Sequence, residues 1–415
     1  VTLPFLLLVL DYWPGRRIIA VSPHGHSTQA SGGADARTHP QLPFSSLLLK
    51  KIPLILLSFI SIGVTLLAAE RGGSLKSLDH FPLLVRFGNS LNAYASYLGK
   101  FICPRDLAVF YPHPGTFDVL QAFAALLLIL FITAMVLMQI RRRPYLPVGW
   151  LWFLGTLVPV IGLVQVGSQA MADRYLYFPM IGLLIMLIWG AADLGKKNAA
   201  MRISMVLLGI ALILGSFFET RQQLKHWRSS RLLFEHTLAV TGPNAVVYSN
   251  LAHALFEEGD WKGAEENYRN AIRCDPKYAN AHANLGAVLD RQGRTGEALE
   301  EYRKGLALNP GHADAHYHLG LMMEGQGNFP DADRHYGEAQ NSDPAHIRAV
   351  RQRGALAMKL GNYAKAAEYF RMALLNDPGD AGLKDALSQA VERRDALDNT
   401  KSWYPVRDNV RCEPD

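Results

Sequence analysis

The chain has 415 residues, of which 49% are hydrophobic and 19% charged, and its 42 Lys and Arg against 36 Asp and Glu give a formal net charge of +6. This length exceeds that of one compact domain, and the basic residues lie in short clusters beside apolar runs, which argues against a nucleic-acid surface and for a membrane protein. The three cysteines, Cys103, Cys274 and Cys412, are too irregularly spaced for a disulfide framework or a zinc site.

The apolar runs all lie in the first 220 residues. A helix needs about 20 apolar residues to cross the hydrocarbon core, and five runs come close to that length: residues 52–69, 119–140, 148–166, 176–194 and the shorter 203–218. Residues 1–10 are typical of the end of a sixth span, and the lack of a basic leader favours an N-terminally truncated chain over a signal peptide. We therefore predict a transmembrane helical domain over residues 1–220.

Loop charges predict the orientation of these spans, because Lys and Arg are retained on the cytoplasmic side. The alternate loops at 11–51, 141–147 and 195–202 hold 11 Lys and Arg, whereas the loops at 70–118 and 167–175 hold 6. The first set is therefore predicted to be cytoplasmic. The chain after the last span is predicted to be periplasmic or lumenal, in a multi-pass protein of a bacterial inner membrane.

Two loop segments invite other interpretations. His24, His26 and His39 lack carboxylate or thiol companions at ligand spacing, so we expect solvated histidines and no metal site. Residues 81–101 are apolar but interrupted by charged and amide side chains. They predict an amphipathic helix at the membrane interface, with Tyr94 and Tyr97 at the depth of the lipid headgroups.

The second half of the chain repeats every 34 residues, as Pro276, Pro310, Pro344 and Pro378 show. Each unit has a glycine between two helices, and a small residue and an aromatic residue in its second helix. The small residues are Ala264, Ala298, Ala332 and Ala366, and the aromatic residues are Tyr268, Tyr302, Tyr336 and Phe370. This pattern predicts four tetratricopeptide (TPR) repeats, at 245–278, 279–312, 313–346 and 347–380.

Segments around the repeats complete the predicted organisation. Residues 221–244 resemble a partial repeat, 381–397 form a capping helix, and 398–415 form a tail. Arg353 stands where the first three repeats have leucine, which predicts an exposed or strained site. The predicted fold is therefore all-α, with a transmembrane helix bundle followed by a TPR α-solenoid.

TPR arrays bind partners in a groove lined by their first helices, and polar residues on those helices are the candidates here. They are Asn250, His253, Asn284, His318 and Arg351. Asn250 and Asn284 share one repeat position, and an amide can bond a peptide backbone at both C=O and N–H. The alternative is a solvated face without a ligand.

Three stretches of the first half resemble the transmembrane and TPR repeat-containing protein O-mannosyltransferase family. They are VTLPFLLLVLDYWP at 1–14, YASYLGKFICPRDLAVFYP at 94–112 and ADRYLYFPMIG at 172–182. The resemblance implies the C-terminal part of a GT-C-like fold and transfer of a sugar from a polyprenyl phosphate to a protein hydroxyl. It also implies that the acidic catalytic residue lies upstream of Val1, so no catalytic residue is assigned and this chain alone is expected to be inactive.

Residues near two loops on the predicted outer side are the candidates for binding such a lipid phosphate. Arg174 is a planar donor suited to phosphate, beside Asp173, Tyr175 and Tyr177. Tyr111 and His113 on the other loop could line the same cavity. The alternative is structural: Asp173 and Arg174 pair with each other or anchor the helix at the headgroups.

Two functions remain open from the sequence. The first is a membrane glycosyltransferase-like protein that uses a polyprenyl-phosphate sugar as donor substrate, has no bound cofactor and holds protein acceptors on its TPR array. The second is a non-catalytic, membrane-anchored TPR scaffold for envelope or secretion complexes. Five or six spans exceed what an anchor requires, which favours the first.

Overall fold

The computed structural model describes residues 2–13, 44–71, 81–165, 167–196 and 198–402, and the chain divides into two compact units, Val1–Gly242 and Pro243–Asp415. The loop histidines His24, His26 and His39, together with Cys412 and most of the predicted tail, lie outside the described residues. Apart from one small sheet, the regular structure of the described residues is helical, which confirms the predicted all-α class.

The first unit contains helices of very different lengths and one two-stranded antiparallel sheet. Its helices are α1 (Leu3–Tyr12), α2 (Phe44–Arg71), α3 (Leu83–Ile102), α4 (Val119–Met138), α5 (Tyr145–Leu157), α6 (Met180–Gly195), α7 (Ala199–Gln223) and α8 (Ser230–Thr241). Its strands are β1 (Tyr111–Pro112) and β2 (Gln169–Met171).

Three helices of this unit are long and apolar enough to cross a membrane: Ser45–Glu70, Val119–Met138 and Ala199–Gln223. They correspond to the first, second and fifth predicted spans. Large apolar side chains on them face outward, including Phe59 and Ile213, which are 66% and 71% exposed. Such exposure is costly in water and favourable against lipid, so the first unit is the membrane part of the protein.

The third and fourth predicted spans are not continuous helices of spanning length. α5 has 13 residues and ends shortly before Pro159, because proline lacks an amide hydrogen and disfavours helical geometry in the residue before it. Gly162 then turns the chain with a φ of +93°. α6 has 16 residues and begins directly after Pro179, following a short 3-10 turn at Asp173–Leu176.

α5 and α6 cross at two glycines. A side chain at Gly149 would collide with the carbonyl oxygen of Gly182, and one at Gly182 would collide with that of Gly149. Close approach through small residues is a common way for apolar helices to pack when the hydrophobic effect does not drive their association. Trp150 and Phe153 extend from this crossing into the core of the unit and are almost wholly buried.

α3 forms where the interfacial helix was predicted, but its tyrosines do not face headgroups. Tyr97 is fully buried, and its hydroxyl is 3.0 Å from the carbonyl oxygen of Ala172. The Tyr94 hydroxyl donates to the carbonyl oxygen of Leu154 at 2.8 Å. The carbonyl oxygen of Ala172 also accepts from the Tyr175 amide at 3.0 Å, and Leu154 lies in the last turn of α5, so each hydroxyl bonds a backbone carbonyl near the end of a helical segment.

The second unit is a series of helical hairpins followed by one longer helix. The helices are α9 (Ala245–Glu257), α10 (Trp261–Cys274), α11 (Ala279–Arg291), α12 (Thr295–Leu308), α13 (Ala313–Gly325), α14 (Phe329–Ser342), α15 (Ile347–Lys359), α16 (Tyr363–Asn376) and α17 (Ala381–Ser402). α17 packs on α16 through Leu383 and Ala390.

The recurring residues explain why each hairpin closes. The glycines between the two helices, such as Gly293 and Gly327, have φ near +78°, which a side chain would strain. The alanines of the second helices are fully buried. In the last three repeats the aromatic residue packs on a glycine of the first helix of its own repeat, as Tyr302 does on Gly286, where a methyl group would not fit.

Arg353 is not the exposed or strained residue that its departure from the leucine series predicted. Its side chain is 18% exposed, and its guanidinium contacts Asp333 at 2.9 Å and Gln340 at 2.8 Å. It also lies 4.5 Å from the centre of the Tyr369 ring. The aliphatic part of the Arg353 side chain occupies the leucine position. Its guanidinium contacts polar side chains of α14 and the Tyr369 ring.

Candidate functional site

Two loops of the first unit are joined by the small sheet. Tyr111 of β1 pairs with Met171 of β2, and the amide of His113 donates to the carbonyl oxygen of Ser168 at 2.9 Å. One loop lies between α3 and α4 and the other between α5 and α6. The structure therefore brings together the two loops that their charges had predicted to lie on the same side of the membrane.

Asp173 is held by groups from both loops. Its Oδ2 accepts hydrogen bonds from the Tyr111 hydroxyl at 2.8 Å and the Ala108 amide at 3.0 Å, and the Lys100 ammonium lies 3.4 Å from Oδ1. Lys100 also donates to the Tyr111 hydroxyl at 2.6 Å. Burial, and then the charge of Asp173, raise the pKa of Tyr111, so this hydroxyl stays protonated and remains a donor.

Arg174 has no such partner. Its Nη2 is 3.4 Å from Oε1 of Gln169, and its guanidinium lies 5.1 Å from the centre of the Tyr175 ring. Among the described residues no carboxylate lies within ion-pair distance of Arg174, because Asp173 is paired with Lys100. The sequence alternative in which Asp173 and Arg174 neutralise each other is therefore not what the structure shows.

Arg174 lines a pocket of about 430 Å³ formed by the loop after α3, the end of α7 and α8. Asp173 and Tyr177 line it as well, and Tyr177 is 71% exposed. Glu219 and His236 add polar groups on the opposite wall, and Leu107 and Trp227 add apolar surface. The lining therefore combines the Arg174 cation, the Glu219 carboxylate and an apolar wall, a composition suited to an amphipathic ligand.

The other predicted residues of this site lie beside the pocket. Tyr175 stacks with Arg174, and its hydroxyl accepts from Nε2 of Gln169 at 2.8 Å. Tyr111 is outside the pocket lining, and its hydroxyl contacts two lining residues, Asp173 at 2.8 Å and the Ala108 amide at 2.8 Å. His113 lies apart from it, with its ring 4.1 Å from that of Phe81.

Glu219, Trp227 and His236 were not predicted from the sequence. Glu219 lies near the end of α7, and Trp227 and His236 follow that helix, in a polar stretch that has no recognisable motif. The structure fixes His236 through its Nε2, 3.0 Å from the Leu107 carbonyl oxygen, and through the His226 ring stacked 3.7 Å away. Trp227 could have been noticed, because an aromatic residue shortly after a transmembrane span is typical of the membrane interface.

The second unit has a separate groove of about 530 Å³ along the first helices of its repeats. The predicted residues His253, Asn284 and His318 line it. Asn250 is exposed outside this lining, and Arg351 lies 3.5 Å from Asp380. The position 34 residues after His318 is occupied by Gln352, whose amide donates to Glu324 at 3.0 Å.

Comparison with known families identifies the second unit. Models of the TPR repeat match residues 252–293 and 289–327, and a tetratricopeptide repeat model matches residues 324–381. Among solved structures, a thermophilic TPR protein of Thermus thermophilus is 21% identical, with a TM-score of 0.35 over 41% of this chain and 94% of that one. The chain is thus a membrane protein that carries an array of TPR repeats.

Curated relatives add a more particular relationship. Protein O-mannosyl-transferase F38B6.6 of Caenorhabditis elegans is 35% identical over 26% of this chain and 15% of its own length. Tmtc3 of Drosophila melanogaster is 27% identical over 47% of this chain and 24% of its own, and human TMTC1 is 28% identical over 32% and 15%. The chain is related to these TPR-bearing protein O-mannosyl-transferases, and it spans less than a quarter of the length of each.

Proposed function

We propose that the first unit binds the donor substrate of a membrane glycosyltransferase, a polyprenyl-phosphate sugar, and that the TPR array holds its protein acceptor. The observation that carries this proposal is the guanidinium of Arg174, which lines the pocket without a carboxylate partner among the described residues. A planar guanidinium forms two parallel hydrogen bonds with a phosphate, and an unpaired one does so without first breaking an ion pair.

The surroundings of Arg174 support an anionic lipid. Lys100 neutralises Asp173, so the neighbouring carboxylate does not repel a phosphate. One wall belongs to α7, a helix long enough to cross a membrane, and Trp227 adds apolar surface for a prenyl chain. Glu219 on the same wall would accept hydrogen bonds from sugar hydroxyls.

The location of this pocket follows from the loop charges. The loops around Arg174 belong to the set poorer in Lys and Arg, so we place them on the periplasmic or lumenal face of a multi-pass protein, in a bacterial inner membrane. The chain leaves the membrane part at the end that carries the pocket, since the end of α7 lines it. The TPR array would then meet acceptors on the face where the donor is bound.

No catalytic acid or base is assigned on this chain. Oδ2 of Asp173 accepts from the Tyr111 hydroxyl and the Ala108 amide, and Oδ1 lies beside the Lys100 ammonium, so we assign Asp173 to positioning the loops rather than to proton transfer.

Transfer of labelled mannose from a polyprenyl phosphate to a protein acceptor tests the proposal. The complete gene product that contains this chain is expected to transfer the sugar, and Arg174→Gln is expected to lower the rate by at least about a hundredfold. The control is Arg202→Gln, which removes an arginine from the opposite end of α7 and should leave the rate unchanged. A complete protein that binds acceptor without transferring sugar would favour the scaffold instead.

A further inference from the structure

The third TPR repeat contains a polar network that the chain completes by itself. Glu324 accepts a hydrogen bond from the Tyr336 hydroxyl at 2.9 Å and another from the Gln352 amide at 3.0 Å. The Lys359 ammonium lies 3.8 Å from the same carboxylate. Tyr336 is fully buried, so this network satisfies a polar group that water does not reach.

The same positions one repeat earlier are incomplete. They are occupied by Asp290, Tyr302, His318 and Gly325, each 34 residues before its counterpart. Tyr302 is fully buried and its hydroxyl has no hydrogen-bond partner among the described residues. The carboxylate of Asp290 likewise has no hydrogen-bond or ion-pair partner in the described part of the chain.

The residue types explain why Asp290 and Tyr302 do not form the hydrogen bonds that Glu324 and Tyr336 form. Asp290 is one methylene shorter than Glu324, about 1.5 Å, which leaves a gap to the Tyr302 hydroxyl. His318 stacks on the Tyr302 ring, with 5.7 Å between ring centres and 9° between planes, and does not bond the carboxylate. Gly325 supplies no ammonium, whereas at the equivalent position one repeat later Lys359 lies beside Glu324.

The open network borders the groove on the first helices. Asp290 and His318 line that groove together with Asp314. The Tyr302 ring stacks on His318, which lines the groove with both carboxylates, and burial followed by the charges of Asp290 and Asp314 raises the pKa of Tyr302. Of the two arginines in the lining, Arg348 already pairs with Asp314 at 2.6 Å, and Arg291 is exposed.

We propose that Asp290 and Tyr302 form a subsite for a lysine or arginine side chain of a partner protein, which takes the part that Lys359 plays in the third repeat. The basic group donates to the Asp290 carboxylate and to the oxygen of the Tyr302 hydroxyl, so that both unpaired groups gain a partner. The inference rests on the proposed role of the array in holding an acceptor, and it gives that acceptor a basic residue.

Binding of two labelled peptides to the full chain in detergent tests the subsite. The peptides have the same short Gly-Ser sequence with one central lysine or one central norleucine, which has a similar aliphatic stem and no charge. Fluorescence anisotropy should show the lysine peptide binding at least about tenfold more tightly, since charge-assisted hydrogen bonds exceed that difference. Equal binding of the two peptides would overturn the proposal, as would tighter binding of a matching glutamate peptide.

Three variants test whether the preference for the lysine peptide arises at Asp290. Asp290→Asn is expected to abolish it, whereas Glu300→Gln, at an exposed carboxylate of α12, should preserve it. At Gly325 there is open space for an added Cβ, and Gly325→Lys should place an ammonium of the chain itself beside Asp290. This variant is therefore expected to have a higher melting temperature and to bind the lysine and norleucine peptides equally. A preference that survives Asp290→Asn would contradict the assignment. This assay needs no sugar transfer, so its outcome is separate from that of the transferase assay.

Discussion

Lys100 neutralises Asp173, with 3.4 Å between its ammonium nitrogen and Oδ1 and with side chains that are 15% and 21% exposed. The pair joins α3 to the start of the 3-10 turn that follows β2. The two consecutive residues therefore differ in role. Asp173 bonds groups of both loops and holds them together, whereas Arg174 lines the pocket without a carboxylate partner among the described residues.

Asp173→Asn is expected to destabilise the first unit. The substitution keeps the shape of the side chain but leaves the mostly buried ammonium of Lys100 without a counter-charge, at a cost of about 2 kcal/mol after discounting for partial exposure. Thermal unfolding in detergent should show a melting temperature lower by roughly 4–8 °C. The control is Glu235→Gln, since Glu235 forms an exposed pair with Arg231. An equal, small shift in both variants would show that the Lys100 pair does not stabilise the unit.

Substitution at the α5–α6 crossing should be far more damaging than its size suggests. Gly182→Ala places a methyl group against the carbonyl oxygen of Gly149 and the backbone of Phe153, neither of which can rotate away. We expect a loss of at least about 3 kcal/mol, seen as lower yield of folded protein and a lower melting temperature. Gly190→Ala, on the same helix with open space around it, is expected to be neutral. Tolerance of Gly182→Ala would mean that the two helices do not cross this closely.

The repeats were predictable because their signal is local and repeated. Each Pro, Gly and aromatic position recurs four times, so the 34-residue period specified helix boundaries as well as helix type. The membrane part was less predictable, since hydropathy alone does not register that Pro159 and Gly162 end a helix inside an apolar run. Where a span over 148–166 was predicted, α5 is therefore a helix of only 13 residues that ends at Leu157.

Contacts between distant residues could not be predicted in either half. Arg353 departs from the leucine series, and the sequence does not indicate that its partner is Asp333 on the preceding helix. Similarly, Asp173 and Arg174 were natural partners by sequence, yet Lys100 reaches Asp173 from a helix about 70 residues earlier. Such pairings depend on tertiary packing that no local pattern encodes.

The third repeat should weaken as pH falls, because protonation of His335 removes the nitrogen lone pair that accepts from Arg334 and places a second positive charge beside it. Arg334 can only donate to Nε2 of His335, and the Pro310 carbonyl can only accept from Nε2 of His316. His335 therefore donates through Nδ1 to Nδ1 of His316 at 3.0 Å. Burial first, then the charges of Arg334 and His316, lower the pKa of His335 to about 4, although Asp331 and Glu338 oppose this.

The lowered pKa of His335 makes the folded state less stable at low pH. The folded pKa of His335 lies below its ordinary value of 6.5, so the stabilisation is complete above about pH 6.5 and is lost as the pH falls towards about 4. Hydrogen exchange, corrected for intrinsic rates, should show the opening free energy of α13 and α14 falling by roughly 1–2 kcal/mol between about pH 7 and pH 5. His335→Glu recreates the pair of the preceding repeat, where His282 and Glu301 are 2.7 Å apart, and should remove this loss. The same loss in both proteins would exclude the histidine pair as its cause.

The central claim is that Arg174 binds the phosphate of a prenyl lipid, and binding of farnesyl phosphate to the chain in nanodiscs tests it most directly. We predict saturable binding that requires the phosphate, is lost in Arg174→Gln, is partly restored in Arg174→Lys and is unchanged in Arg202→Gln. Farnesol, which lacks the phosphate, should bind weakly and equally to all four proteins. Binding of farnesyl phosphate that Arg174→Gln leaves unchanged would contradict the account.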